Sequence, residues 1–226
     1  TPDGSPGETG VGGFKAESDR YHLYVSLACP WAHRTLIFRK LKNLEPHIGV
    51  SIVHPIMLEN GWEFRTDFSQ CTGDQILGKN SIFEVYLAAD KNITSRASVP
   101  VLWDVKQATI VSNESSEIIR MFNSAFEQIS VNELDLYPRT LRTEINELNA
   151  MIYENVNNGV YKTGFATSQK SYTESFMELF ECLEELEQRL LITRFLLGDK
   201  ITEADWRLFT TSVSYTHLRA HETSGY

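Results

Sequence analysis

The sequence predicts a mixed α/β domain over residues 1–125 and an all-helical domain over residues 126–213. In the first half, segments that alternate with a period of two are interleaved with segments of helical period, which is typical of an α/β domain. After residue 138 the apolar residues follow helical spacing. The composition changes between residues 123 and 138, where we expect the linker.

The α/β half opens with a βαβ unit. Tyr21–Val25 alternates as a short strand, with successive side chains on opposite faces. The next helix starts at the Cys29-Pro30 pair and runs to about Lys42, because Pro fits a first helical position, where its missing N–H costs nothing. Residues 51–54 predict the second strand.

A long irregular segment, residues 55–79, separates this unit from the rest of the domain, and such loops tend to carry function. The remaining elements are a helix, two strands that form a hairpin, and a last helix, at residues 81–89, 99–103, 109–111 and 114–122. The resulting order β-α-β-α-β-β-α is that of a thioredoxin-like domain.

The second half predicts amphipathic helices, and the two longest patterns cover residues 143–156 and 172–191. Thr202 and Asp205 stand three apart before an apolar run. This is a capping-box arrangement with Asp in place of the usual Glu or Gln, and it predicts a helix start.

Charge and composition narrow the classes of function. The chain has 226 residues and a formal net charge of -9. This charge argues against nucleic acid as a partner, because phosphate binding needs a basic face. No apolar run approaches the roughly 20 residues that span a bilayer, so no membrane partner is expected. Three cysteines are a poor basis for a disulfide scaffold and favour a reducing, cytoplasmic location.

Cys29 is the strongest indication of chemistry. A thiol between a strand and a helix N-terminus lies at the positive end of the helix dipole, which favours the thiolate. His33 and Arg34, one turn along, can add positive charge. A buried structural cysteine is the alternative, but Cys-Pro at such a junction argues against it. Residue 32 is Ala, so no Cys-x-x-Cys pair exists, and a reactive Cys29 needs an external thiol such as glutathione.

Two further features suit a peptide-like ligand. An X-Pro bond such as Val99-Pro100 is commonly cis in this fold and turns the preceding backbone toward a ligand, although an ordinary strand-opening proline is the alternative. At Glu114-Ser115, a helix start and a hydroxyl can hold a carboxylate while the acidic side chain takes an ammonium. A γ-glutamyl group carries both charges. The plainer explanation is an acidic residue that only complements the helix dipole.

The other candidates also have plainer explanations. Trp62, in the long loop, can cover a bound ligand, and Tyr161 can hydrogen-bond a phenolic substrate, although either side chain can simply pack. Cys71 and Cys182 are interpreted as non-catalytic: the first lies in a loop without a cationic companion, and the second adjoins the apolar face of a long helix.

Taken together, several stretches closely resemble the glutathionyl-hydroquinone reductases, the Xi class of glutathione transferases. The matching stretches lie in both halves, at residues 19–34, 99–104, 110–122, 157–162 and 201–209. The resemblance implies that Cys29 is the catalytic thiol and that Tyr161 borders the hydroquinone pocket and fits the role of proton donor. It also implies a set of residues that hold glutathione: Trp62, Val99, Glu114 and Ser115, with Arg96 as a candidate for a glutathione carboxylate.

The resemblance further implies the reduction of glutathionyl-hydroquinones, with glutathione as co-substrate and no metal, in a homodimer. The expected fold is a thioredoxin-like domain followed by a helical domain of the glutathione transferase type. An omega-type transferase, acting as a deglutathionylase or dehydroascorbate reductase, would use the same Cys29 with a different acceptor pocket. A non-catalytic module for protein association is the third hypothesis, and it would need neither Cys29 nor the Glu114-Ser115 pair.

The C-terminus departs from the family pattern. Members continue past Thr210-Thr211 with further helices that carry more active-site tyrosines and dimer contacts. Residues 214–226 lose the apolar periodicity and are expected to be a non-native tail on a truncated fragment. His217 and His221 in this tail have the spacing of a metal pair, but no third ligand is evident, so no metal site is predicted.

Overall fold

The computed structural model of the chain describes the backbone of residues 1–7, 10 and 12–222 and the side chains as far as Tyr215. These residues form two compact units that divide between Leu134 and Asp135. The sequence places the boundary after residue 125 instead. Residues 126–134 stay with the first unit because Ser130 and Asn132 donate hydrogen bonds to the backbone carbonyls at the end of its first helix.

The first unit has the predicted thioredoxin-like order of strands and helices. Its elements are β1 Tyr21–Val25, α1 Pro30–Leu41, β2 Ile48–Ile52, α2 Ile82–Ala89, β3 Val101–Asp104, β4 Thr109–Ser112 and α3 Ser115–Ser124. Only β2 differs notably from its prediction, 51–54. It lies earlier in the chain because it pairs in parallel with β1 along its whole length, from Tyr21 with Ile48 to Val25 with Ile52.

A four-stranded mixed sheet, in the order β2-β1-β3-β4, forms the centre of this unit. The pair β1–β2 is parallel, whereas β1–β3 and β3–β4 are antiparallel. All five residues of β1 are buried, because a central strand is covered on both faces. The helices α1 and α3 pack against each other, and the side chains of Phe38, Ile118 and Phe122 are fully buried.

His22 on β1 is a buried polar residue within this sheet. Its Nε2 lies 2.8 Å from the Ser51 hydroxyl on β2. Gly49 leaves room for the ring, since a Cβ there would stand 2.6 Å from its Nδ1. Burial lowers the pKa of His22 to about 4. The negative charge of Asp74 raises this pKa and the positive charge of Arg39 lowers it, and both effects are smaller than that of burial. The native state therefore holds this imidazole neutral.

The free energy of unfolding should fall as the pH drops through the ordinary range of histidine titration. A histidine with a lowered pKa in the folded state contributes fully above its unfolded pKa, because the unfolded chain binds the extra proton only below that value. Between about pH 7 and about pH 5 the loss should be roughly 2 kcal/mol. Urea unfolding of the wild type and of His22→Gln at both pH values measures it. An equal loss in the variant would assign the effect to other groups.

The second unit is helical, as predicted. It contains α4 Arg142–Ile152, α5 Gly159–Gly164, α6 Gln169–Ile192 and α7 Glu203–Glu222. A short 3₁₀ turn, Arg139–Leu141, precedes α4. The apolar core comprises Leu148, Ile152, Val156, Val160, Leu179, Cys182, Leu186, Leu196 and Ala204. In the described part of the chain, no helix has both the length and the apolar character needed to cross a membrane.

A π-helical turn, Tyr153–Asn157, follows α4 where the sequence predicts uninterrupted helix to residue 156. Its backbone closes from the Asn158 N–H to the Tyr153 carbonyl at 2.9 Å. The wider turn places the buried Asn157 amide against α7, where it donates to the Arg207 carbonyl and the Thr211 hydroxyl. The π turn thus provides a polar connection between two helices of the unit.

The helix α7 begins at Glu203, directly after Thr202, where the pattern of Thr202 and Asp205 predicts a helix start. The Asp205 carboxylate accepts hydrogen bonds from the Thr202 N–H at 2.8 Å and from the Thr202 hydroxyl at 3.0 Å. Directly after Thr202, the fully buried Glu203 accepts from the Asn149 amide on α4 at 2.6 Å and lies 3.6 Å from the Arg207 guanidinium.

The backbone of α7 extends to Glu222, into the segment predicted to be a non-native tail. The side chains of His217 and His221 and the structure of residues 223–226 lie outside the described residues. The non-native origin of the tail stays a prediction.

Candidate functional site

The thiol of Cys29 lies where the sheet meets the first helix. Cys29 has extended backbone geometry, with φ -97° and ψ 116°, and it is the N-cap of α1. Pro30 occupies the first helical position, as predicted. The side chain is 9% exposed, and its Sγ lies 3.5 Å from the carbonyl oxygen of Val99. The structure therefore brings together two of the predicted site residues, Cys29 and Val99.

The electrostatic setting of Cys29 differs from the prediction of a stabilised thiolate. Burial raises the pKa of the Cys29 thiol, and this effect exceeds the opposing influence of the backbone N–H groups of Ala32 and Trp31 and of the Arg34 charge. The thiol also donates toward the Val99 carbonyl, which favours the protonated form. The prediction was wrong in direction because the helix N-terminus acts as expected but desolvation is larger.

Arg34 is the cation that accompanies this thiol. It is fully buried, and its guanidinium carbon lies 4.8 Å from the centroid of the Trp31 ring. Burial lowers the pKa of His33, so this neighbour favours the neutral form. Of the two cationic candidates, only Arg34 lowers the pKa of Cys29.

The backbone before Pro100 has the predicted geometry. The Val99-Pro100 peptide bond is cis. Both residues are buried, and β3 begins directly after them at Val101. The Val99 carbonyl therefore stands beside the thiol at the end of the sheet, where an extended peptide can pair with the backbone.

Trp62 is held through its backbone within the long loop. It follows a tight turn in which Leu58 bridges to Gly61, and Gly61 adopts a φ of +71° that favours glycine. The Trp62 carbonyl accepts from the Ile82 N–H at 2.9 Å, and the indole is half-buried. The loop is thus locally ordered around Trp62 although it contains no helix or full strand.

Glu114 and Ser115 form the start of α3. Glu114 is the exposed N-cap, and its carboxylate accepts from the Ser116 N–H at 3.1 Å and the Ser116 hydroxyl at 3.0 Å. The buried Ser115 hydroxyl lies 3.5 Å from the same carboxylate. The pair therefore combines a helix N-terminus with an exposed negative charge, and both suit a zwitterionic ligand group.

The two remaining candidates lie in different units. Arg96 is exposed in the loop before Val99, within the first unit. Tyr161 lies on α5 in the second unit and is half-buried. Its ring stacks on Phe165 and meets the ring of Tyr215 edge-on, with centroid distances of 6.3 Å in both cases.

All three cysteines are free. Cys182 is buried in the helical core, which agrees with a packing role. Cys71 is half-buried in the long loop, and burial raises its pKa, followed by the negative charge of Asp67. Neither residue shares the position of Cys29 at a helix start.

Sequence reasoning missed the residues that hold the long loop in place, Tyr24 and Asp74. The Tyr24 hydroxyl donates to the Asp74 carboxylate at 3.0 Å. A buried tyrosine usually finds a hydrogen-bond partner for its hydroxyl, so a tyrosine in a buried strand was the available signal. The partner lies 50 residues along the chain, which no local pattern reveals.

Two family models match the chain. Residues 28–125 match the glutathione S-transferase N-terminal domain, and residues 169–221 match the glutathione S-transferase C-terminal domain.

Curated proteins and a solved structure also show similarity to glutathione transferases. The chain is 57% identical, over its whole length, to the glutathionyl-hydroquinone reductase YqjG of Escherichia coli (strain K12). It is 52% identical, over 89% of its length, to the glutathione S-transferase omega-like 2 of Schizosaccharomyces pombe. It spans 71% and 66% of the lengths of these two relatives. The glutathione-bound structure of YqjG superimposes with a TM-score of 0.92, at 60% identity, over 94% of this chain and 69% of that one.

Proposed function

Because this chain belongs to the glutathione transferases, in the family of YqjG and of the Xi glutathione S-transferase from Phanerochaete chrysosporium, to which it is 50% identical, we propose that it reduces glutathionyl-hydroquinones to hydroquinones with glutathione. The observation that carries the proposal is the position of Cys29 at the start of α1, beside the Val99 carbonyl at 3.5 Å. A single thiol without a neighbouring partner cysteine in the sequence requires an external thiol for turnover.

The first step is the attack of the Cys29 thiolate on the glutathione sulfur of the substrate. The sulfur–sulfur bond of a mixed disulfide forms, and the bond between that sulfur and the aromatic carbon breaks. The electron pair of the broken bond takes up a proton at the aromatic carbon, and the free hydroquinone leaves. Since burial raises the pKa of Cys29, the nearby Arg34 charge and the backbone N–H groups of Trp31 and Ala32 must stabilise the thiolate that attacks.

The second step returns the enzyme to its starting state. The thiolate of a second glutathione attacks the glutathione sulfur of the mixed disulfide, and oxidised glutathione leaves. Cys29 departs as the thiolate and takes up the proton that the second glutathione lost. One glutathionyl-hydroquinone and one glutathione are consumed and one hydroquinone and one oxidised glutathione are produced, so the redox balance closes without a metal or another cofactor.

Glutathione is proposed to bind along the first unit. Its backbone pairs with Val99, and its γ-glutamyl group lies at Glu114 and Ser115, where the exposed carboxylate can take the ammonium and the helix start can take the carboxylate. Arg96 is exposed and can neutralise the other carboxylate, while Trp62 covers the bound tripeptide.

Tyr161 is proposed as the proton donor to the leaving aromatic group. A phenol hydroxyl can both donate a proton and hydrogen-bond a phenolic substrate. The stacked Phe165 and the edge-on Tyr215 fix the plane of its ring, which would orient the hydroxyl. We also propose that the protein is a homodimer in the cytoplasm, where free cysteines persist.

The second candidate function is that of an omega-type transferase. It is favoured by the 52% identity to the omega-like relative of Schizosaccharomyces pombe. Such an enzyme would use Cys29 and the same glutathione site on mixed disulfides or dehydroascorbate, and it would differ in the acceptor pocket.

Incubation of the chain with glutathionyl-menadiol and glutathione should release menadiol and oxidised glutathione in equal amounts. Liquid chromatography of both products measures the reaction, and dehydroascorbate and a small mixed disulfide serve as competing substrates. Turnover of the competing substrates alone would favour the omega-type function. If the chain turns over none of them while it binds glutathione, the catalytic proposal fails and a binding module remains.

A further inference from the structure

Tyr24 connects the central strand of the sheet to the long loop that carries Trp62. The side chain is fully buried on β1, and its hydroxyl donates to the Asp74 carboxylate at 3.0 Å. Its ring meets the ring of Phe64 edge-on, with a centroid distance of 5.6 Å. One rigid residue of the sheet thus contacts the loop at two points that lie ten residues apart in sequence.

Asp74 organises the end of the loop around this connection. One carboxylate oxygen accepts from the Ile76 and Leu77 N–H groups as well as from Tyr24. The other accepts from the Lys79 N–H at 2.9 Å. With the carboxylate fixed by the Tyr24 hydroxyl, the backbone of residues 76–79 has a defined position relative to the sheet.

The segment that follows this turn pairs directly with the backbone of Trp62. The Asn80 carbonyl accepts from the Phe64 N–H at 2.8 Å, and the Ile82 N–H donates to the Trp62 carbonyl at 2.9 Å. Trp62 therefore lies between two segments whose positions depend on Tyr24: residues 80–82 through Asp74, and Phe64 through its ring.

We propose that Tyr24 is a positioning residue for glutathione binding, which acts by holding the backbone of Trp62 through its contacts with Asp74 and Phe64. The inference rests on the proposed role of Trp62 at the glutathione site. Tyr24 is buried within the sheet and acts on the ligand only through the loop. The affinity for glutathione depends on the Tyr24 hydroxyl as well as on the size of the ring, because only the hydroxyl reaches the Asp74 carboxylate.

A double-mutant cycle tests this coupling. Isothermal titration of glutathione is carried out on the wild type, Tyr24→Phe, Trp62→Phe and the double variant, all reduced. Tyr24→Phe keeps the ring contact with Phe64 and removes only the hydroxyl, so we expect a weakening of roughly threefold to tenfold. In the Trp62→Phe background the same change should have little further effect. Full additivity of the two effects would overturn the proposal.

Tyr21→Phe is the matched control. Tyr21 lies on the same strand, is also buried, and donates its hydroxyl to the Lys15 carbonyl at 2.6 Å, on a segment remote in sequence from the loop. It should lose stability as Tyr24→Phe does but keep the affinity of the wild type. An equal loss of affinity in both variants would reveal a general effect of destabilisation and overturn the positioning role. If Tyr24→Phe does not fold, Asp74→Asn takes its place in the cycle.

Acrylamide quenching of tryptophan fluorescence gives a readout that does not depend on glutathione. The signal of Trp62 is obtained as the difference between matched proteins with and without Trp62→Phe. Tyr24→Phe should make Trp62 more accessible, and Tyr21→Phe should not. If the wild type binds no glutathione, both the proposed function and the role of Tyr24 in glutathione binding fail. If it does bind glutathione, unchanged accessibility of Trp62 in Tyr24→Phe overturns the positioning role alone.

Discussion

Replacement of Cys29 by serine should abolish the release of menadiol from glutathionyl-menadiol. A serine hydroxyl at the start of α1 cannot form a disulfide, so neither chemical step is open to it. The expected loss in kcat is on the order of 1,000-fold or more. Glutathione affinity should change little, because the ligand contacts proposed for the other residues remain. Steady-state kinetics and isothermal titration measure the two quantities separately.

Cys182→Ser provides the control for this prediction. Cys182 is also a buried thiol, but it packs in the helical core away from any helix start. Its replacement should reduce stability and leave kcat within about twofold of the wild type, since it takes no part in the chemistry. Mass spectrometry should detect a glutathionyl adduct on the wild type and on Cys182→Ser only. Turnover that survives in Cys29→Ser would exclude the thiol mechanism.

Replacement of Asp104 by alanine should strongly lower the free energy of unfolding. Asp104 ends β3, is fully buried, and accepts from the Arg20 guanidinium and from the backbone N–H groups of Lys106 and Gln107. Its removal leaves the Arg20 cation buried, with Glu17 as its remaining ion-pair partner at 3.1 Å. Breaking one side of such a pair costs about 3–5 kcal/mol. Urea unfolding should show a lower midpoint with an unchanged slope.

Glu17→Gln removes the outer partner of the same arginine and serves as the control. Glu17 is partly exposed and also contacts the exposed Lys106, so its ion pairs are screened by solvent. The expected loss of stability is therefore small compared with that of Asp104→Ala. If both variants lost the same stability, the buried hydrogen bonds of Asp104 would not be the source of the effect.

The local elements of this fold could be predicted from the sequence, because the signals lie within a few residues of each other. Pro30 marks the first position of α1, and Thr202 with Asp205 marks the start of α7. The strand β2 was misplaced because its ends are set by pairing with β1, not by its own pattern. The π turn after Ile152 was missed for the same reason, since the buried Asn157 amide bonds to a helix 50 residues away.

The sequence supplied the candidate residues of the site, whereas the electrostatics of Cys29 could not be predicted from it. Two of these candidates, Cys29 and Val99, lie 3.5 Å apart although 70 residues separate them in sequence. The direction of its pKa shift depends on how deeply the thiol is buried, and no periodicity in the sequence reports that. The anchoring of the long loop by Tyr24 and Asp74 likewise depends on a tertiary contact. The roles of Trp62, Arg96, Glu114, Ser115 and Tyr161 stay predictions.

The buried carboxylate of Glu203 limits how the helical unit can rearrange. If α7 slid along α4 by one turn, about 5.4 Å, the buried carboxylate would lose the Asn149 amide, whereas Arg207, on the same helix, would stay beside it. A hydrogen bond to a charged group contributes roughly 1.5–3 kcal/mol, so intermediate alignments of the two helices are sparsely populated. The hydrogen bond between Asn149 and Glu203 therefore fixes the register of α7 on α4. A change at α7 reaches α4 when that bond breaks, and not through gradual sliding of the two helices.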